Sequence, residues 1–216
     1  SAIFFAPELA AGLVQDPQAL GILTDIYDGK VSNSYTSHLK GQGKFKIDNL
    51  VFSICVASNE ALARDLYTQQ AKEGGLLSRT FLVTPSEFRT PNSLMRFEDR
   101  SEGMKKMEDA LRRIADLHGE FTYDNSAIHA YDKWYNPWRS AQKDKIDRTG
   151  VLGRIHTGVL KLAMVLAADK LTLTIDSTII NEAIYECQKL LPNYAQFTMT
   201  TSSGDLELAG GVVLQE

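Results

Sequence analysis

The chain has 216 residues, 44% of them hydrophobic and 23% charged, with a formal net charge of −4. That is the composition of an ordinary globular protein, long enough to bury a core in one large domain or two small ones. The acidic balance excludes a generally basic nucleic-acid binder, so any DNA contact has to come from a local cluster.

Ala2–Phe5 reads as a short buried strand, stopped by Pro7. A buried strand so close to residue 1 sets the expectation that an N-terminal half is missing. Glu8–Val14 and Gln18–Tyr27 read as helices, the second with Leu20, Leu23 and Tyr27 on one stripe and closed by Asp28-Gly29. From Ser32 to Ile47, two alternating arms flank Lys40-Gly41-Gln42-Gly43-Lys44 and predict a β-hairpin, with Lys46 just below its tip. Leu50–Ala57 is a continuous apolar run suited to a central sheet strand. Ser58-Asn59 then caps a helix from Glu60 to about Lys72, which ends at Gly74-Gly75. After Arg79, Phe81–Val83 reads as a further short strand, ended by Pro85, and residues 86–100 read as a polar linker.

Beyond the linker the pattern is helical. Glu102–His118 spaces Met104, Met107, Leu111, Ile114 and Leu117 at helical intervals. Ser126–Ile146 carries Ile128, Tyr131, Trp134, Tyr135 and Trp138, with Pro137 as a kink or break. Gly150–Ala168 places Leu152, Ile155, Val159, Leu162 and Leu166 on one face, and Ser177–Leu191 is capped by Asp176 or Ser177. The tail from Thr198 lacks periodicity, and no internal repeat is evident. The fold class expected is therefore α/β with a hairpin insert over residues 1–90, an all-helical part over 91–197 and a tail over 198–216.

Three residues stand at strand ends in order: Glu8 after the first strand, Asn59 after the second and Arg79 before the third. Carboxyl ends of strands line the ligand crevice of open α/β sheets. There a Glu can orient or deprotonate an attacking water, and an Asn can hold that water or a γ-phosphate oxygen. A lone Arg at a helix-to-strand junction is rigidly aimed and can grip phosphate oxygens bidentately, the geometry of an arginine finger acting on a neighbour's nucleotide. Each residue also has a plainer reading. Glu8 suits the first turn of a helix after Pro7, Asn59 an N-cap, and Arg79 a cap on the helix end at Gly74-Gly75 with its head in solvent.

The ordered set resembles the AAA+ ATPases and, within them, the minichromosome maintenance helicases. Ile3-Phe4-Phe5-Ala6-Pro7-Glu8 looks like a Walker B strand, the hairpin at 35–47 like the pre-sensor hairpin with Lys40 in the DNA-meeting position. Ser53–Asn59 looks like the sensor-1 strand, and Leu76-Leu77-Ser78-Arg79 like the arginine-finger segment. Closer still is a family of phage-, plasmid- and bacterium-borne P-loop ATPases of unknown function, similar to primase–helicase proteins. They share Leu23, Tyr27-Asp28-Gly29, Tyr35-Thr36, Asn49 and Gly74-Gly75-Leu76-Leu77-Ser78-Arg79. The resemblance covers residues 1–90 well and the rest loosely, where Gly153-Arg154 and the helix beyond look like a lid helix with its sensor-2 arginine. The alternative for Arg154 is a helix-surface charge.

The resemblance implies the second half of a P-loop ATPase sheet followed by a helical lid, from an ATP-dependent, ring-forming helicase or translocase of phage or plasmid replication. Glu8, Asn59 and Arg79 would be catalytic, Arg154 would contact the nucleotide, and Lys40, Lys44 and Lys46 would grip DNA through salt-dependent phosphate contacts. Blunting of a sheet edge is the alternative for those lysines. The implied cofactors of the intact protein are ATP and Mg²⁺; the implied partners are DNA, further copies in a ring (a hexamer) and an N-terminal P-loop segment. Pro7 stands where such a Walker B pair has its metal-serving Asp, and no Gly-x-x-x-x-Gly-Lys-Ser/Thr loop occurs in 1–216. This chain alone is thus expected to bind no cofactor and turn over no ATP. A non-enzymatic remnant that binds DNA or a partner protein is the alternative.

The aromatic group Tyr131, Trp134, Tyr135 and Trp138 offers either base stacking or packing. His38, His118, His129 and His156 have no metal-ligand spacing, so no metal site is expected. Cys55 and Cys187 read as reduced core residues of a cytoplasmic protein, and the apolar stretches near 50–57 and 158–168 read as too short to cross a membrane.

Overall fold

The structure, a computed structural model, describes residues 2–6, 23–28, 34–39, 43–48, 52–57, 75–84, 101–143, 147 and 150–199. The chain divides into two compact units: residues 1–81, 146–154 and 197–216 form the first, and 82–145 with 155–196 the second. Among the described residues the protein is mostly helical, with three two-stranded sheets.

The first unit holds four strands: β1 (Ala2–Ala6), β2 (Ser34–Leu39), β3 (Gly43–Asp48) and β4 (Phe52–Val56). β1 and β4 run parallel, in register from Ala2 opposite Phe52 to Ala6 opposite Val56. These are the two apolar runs the sequence marks as sheet strands, and parallel neighbours need a long crossover rather than a tight turn. Ser53, Ile54 and Cys55 are exposed, which corrects the reading of Cys55 as a core residue. The expected hairpin is present: β2 and β3 pair antiparallel, with His38 opposite Lys44 and Thr36 opposite Lys46. Residues 23–27 are helical and end where the Asp28 N–H donates to the Thr24 carbonyl at 3.0 Å.

The second unit contains α1 (Ser101–Ala115), β5 (Thr122–Tyr123), α2 (Asn125–Gln142), most of α3 (Val151–Asp169), β6 (Thr174–Ile175), α4 (Ser177–Lys189) and most of α5 (Leu191–Met199). It is not all-helical. β5 and β6 pair in parallel, Thr122 opposite Thr174 and Tyr123 opposite Ile175. Each runs straight into a capping aspartate: Asp124 accepts from the Ala127 N–H at 2.8 Å and Asp176 from the Ile179 N–H at 2.9 Å. Thr-Tyr-Asp and Thr-Ile-Asp are thus one strand-and-cap unit used twice, a repeat too short to show as periodicity. It launches α2 and α4 side by side, and the two pack together.

The core of this unit is apolar and built at helical spacing. α3 buries Ile155, Val159, Ala163 and Ala167, one residue every turn, against Ile179, Ile180, Ala183, Ile184 and Cys187 of α4. The buried row lies one position away from the expected Leu162 and Leu166, which pack partly buried beside it. Alanines at 163 and 167 admit neighbouring backbones more closely than leucines do. α3 is 19 residues long and holds an 18-residue window of mean hydropathy 1.5, which by length and composition suffices to cross a membrane. The reading of this stretch as too short is corrected accordingly, although a buried row is also what a core helix requires. Along α1, by contrast, Met104, Met107 and Leu111 are exposed.

Three further expectations change. Of the kink or break expected at Pro137 the break is overturned, since α2 continues through it. Pro192 lies in the first turn of α5, a position that tolerates proline because the N–H there has no helical partner; the sequence reading has no helix in that place. Phe81–Val83 is not a strand, and Val83 is 74% exposed. The Leu82 N–H donates to Tyr194 Oη at 3.2 Å, and Asn193 Nδ2 donates to the Leu82 carbonyl at 2.9 Å, so side chains meet the groups that a ladder would use.

Candidate functional site

Two of the sequence-selected residues, 75 positions apart, meet in the first unit on a third residue that was not selected: Arg79 and Arg154 both bind Asp28. Arg79 Nε donates to Asp28 Oδ1 at 3.1 Å and Nη2 donates to Oδ2 at 2.6 Å, a two-pronged grip. Arg154 Nη1 donates to Oδ1 at 3.0 Å. The side chains of Arg79 and Asp28 are 8% and 12% exposed, and that of Arg154 is 38% exposed.

Local structure places each group. Gly75 adopts φ 72, in the left-handed region where a side chain is costly. The chain then makes a single tight helical turn over Leu77–Arg79, anchored by the fully buried Leu77. The Gly75 carbonyl accepts from Arg79 Nη1 and from Ser78 Oγ, both at 2.8 Å. Arg79 therefore does cap the turn at Gly75, as the plainer reading had it, but its head is buried on Asp28 rather than dissolved in water. Arg154 arrives on the first turn of α3. Gly150, with φ 69, lies against Ser78, where an added Cβ would make ordinary contact at 3.5 Å, and Asp147 Oδ2 accepts from the Gly153 N–H at 2.9 Å.

Electrostatics show why these residues need one another. Asp28 ends a helical segment, where the helix dipole disfavours an anion, and Arg154 stands near the start of a helix, where it disfavours a cation. Each is wrong-signed for its own element, and their pairing removes both penalties. The Arg79 guanidinium, against the partial desolvation of the site and aided by Arg154, holds the Asp28 carboxyl far below the usual carboxylate range. The group stays ionised wherever the protein is folded near neutrality. That doubly wrong-signed pattern was the signal available for Asp28, which the sequence reading treated only as a helix terminator and a motif residue.

The other selected residues are not brought to this cluster by any described contact. Glu8, Asn59 and Lys40 lie outside the described residues. Lys44 and Lys46 stand on β3 at the positions opposite His38 and Thr36. In the second unit the aromatic group divides: Tyr131, Trp134 and Trp138 pack against the apolar core, while Tyr135 stacks on Tyr131 at 5.4 Å between ring centroids and lies 5.9 Å from the Arg139 guanidinium. Burial and the neighbouring Tyr135 push the Tyr131 hydroxyl up to about 12. Among the described residues no group of three His, Cys, Asp or Glu is placed to hold a metal ion.

Comparison of the chain with protein-family models, with curated proteins and with solved structures gives no match. The resemblance to P-loop ATPases therefore stands on the motif residues named above and on nothing wider.

Proposed function

We propose that the chain is the C-terminal part of an AAA+-like, ring-forming ATPase that works on DNA, with Arg79 and Arg154 facing nucleotide phosphate. The observation that carries this reading is the convergence of those two arginines, to both of which the resemblance gives phosphate-facing roles, on one carboxylate. A paired guanidinium fork matches phosphate oxygens in charge and in planar geometry. The parallel β1–β4 pair gives secondary support, since parallel strands belong to sheets covered by further layers and Ser53, Ile54 and Cys55 are exposed here. In this reading Glu8 polarises water, Asn59 reads the γ-phosphate, Lys40, Lys44 and Lys46 hold the DNA backbone, and a P-loop segment supplies the phosphate cradle with ATP and Mg²⁺.

The test is complementation. Mixing the chain with a separately made P-loop segment from the same reading frame should restore ATP turnover, and Arg79→Ala should then lower kcat by about 10³-fold, the scale of an arginine finger. No turnover, or turnover indifferent to Arg79, would sink the motor reading.

A second reading has its own observation. Arg79 is occupied within its own chain and Pro7 replaces a metal-serving Asp, as in an ATPase remnant that only binds DNA or a partner. Under it, mixing restores no turnover, yet fluorescently labelled DNA binds the chain and loses affinity on Lys44→Ala/Lys46→Ala replacement, with a shallower salt dependence.

A further inference from the structure

We infer that Asp28 is a built-in stand-in for an oxyanion: its carboxylate occupies the fork between Arg79 and Arg154, and a phosphate group enters that fork by displacing it. The inference rests on the reading that these arginines face phosphate, and it adds a gate to that site. Three observations combine. First, the carboxylate takes three guanidinium bonds, two of them in the parallel arrangement that a phosphate also takes. Second, the cluster has a reachable side and a fixed side. Arg154 is 38% exposed and among the described residues donates only to Asp28, whereas Arg79 is buried. Third, Arg79 has a grip that does not depend on Asp28. Its Nη1 bond to the Gly75 carbonyl keeps the guanidinium aimed when the carboxylate leaves.

Charge sets the sign of the effect. While Asp28 is in place an approaching phosphate meets two cations and one anion, and the anion both repels it and holds the donors it needs. Removing the negative charge leaves two converging cations and vacant donors. A carboxylate whose task is to build the site has the opposite consequence, because its loss would release both arginines and weaken binding.

The source of the phosphate is open to test in the same experiment. The terminal phosphates of a nucleotide present several oxygens and a double charge, which suits two guanidiniums, while a nucleic-acid backbone offers a single charge at each diester. We therefore assign the fork to a nucleotide's phosphates.

The experiment is a calorimetric titration of the full chain with inorganic pyrophosphate, and in parallel with a short oligonucleotide lacking terminal phosphates. It compares the unaltered protein with Asp28→Asn, Asp28→Ser and the pair Asp28→Asn/Arg154→Ala. Both single variants should bind pyrophosphate at least about tenfold more tightly than the parent, and adding Arg154→Ala should abolish the gain. A variant that merely lost structure would not bind more tightly. Equal or weaker binding in both single variants, a gain that survives Arg154→Ala, or a gain for the oligonucleotide alone would each overturn the assignment. The ATPase reading is judged separately by complementation: turnover without the pyrophosphate gain sinks the stand-in alone, and the gain without turnover keeps the oxyanion fork and sinks the motor.

Discussion

The apolar core of the second unit is fully withdrawn from water, the charged cluster of the first only in part, and the two are held together for different reasons. In the core, every local rule agrees with the result. Asp124 and Asp176 cap helices at the end where an anion is favoured, isoleucines recur at helical spacing, and alanines complete the buried set. At the cluster, the local rules are broken twice: an anion ends a helix and a cation begins one. Only the contact between residues 28, 79 and 154 repairs the fault. Taking charges out of water costs several kcal/mol per ion unless the geometry is excellent, so such a cluster is weak as a source of stability. Conflicts between local preference and final structure concentrate at functional sites. On the proposed reading, that is the contrast expected between a region kept for binding and a region kept to hold the fold.

Substitutions can break or sharpen this contrast. The largest loss of stability should come from the core: Ile180 is fully buried, and Ile180→Ala should cost about 2–5 kcal/mol in chemical denaturation. Arg79→Ala comes next, at about 3 kcal/mol, because it takes the two-pronged guanidinium away from a largely buried carboxylate. If the cluster is retained for function, the double replacement Arg79→Met/Asp28→Leu should cost less than Arg79→Ala alone, since no unpaired charge then remains buried. A double replacement that costs the sum of its parts would place the cluster with the core as a structural device. Smaller is Asp176→Ala, which removes a helix cap and should cost about 1 kcal/mol.

Acid provides a milder probe. Because the folded-state pKa of Asp28 is depressed, its stabilisation is present above the unfolded carboxylate value of about 4 and fades as pH falls below it. Asp28→Asn should therefore flatten the acid limb of a stability-versus-pH curve while leaving the shape above pH 5 unchanged. The least disruptive probe is a thiol reagent. Cys55 is exposed, whereas burial pushes the Cys187 thiol up to about 12. Alkylation of the native chain should label Cys55 quickly and Cys187 only on unfolding. Rapid labelling of Cys187 would mean that the core of the second unit opens readily.

Much of the secondary structure was legible in the residues. Two apolar runs announced β1 and β4, alternation around a glycine turn announced β2 and β3, helical spacing announced α2 and α3, and spacing with a cap announced α4. These signals are local, arising from side-chain period, capping chemistry and backbone freedom over a few residues. What stayed hidden was whatever depends on a distant partner. Phe81–Val83 looked like a strand but has Tyr194 and Asn193 as neighbours in place of a ladder. Thr122–Tyr123 and Thr174–Ile175 are too short to register until paired with each other.

The candidate site follows the same division. Chain chemistry by itself determined that a glycine turn precedes Arg79 and that Arg154 lies near the start of a helix, because glycine conformations and helix starts are written locally; the strand expected after Arg79 is absent. Only the tertiary structure decided that both guanidiniums close on Asp28, because Coulomb attraction and hydrogen bonding act through space between residues 28, 79 and 154 and leave no periodic trace along the chain.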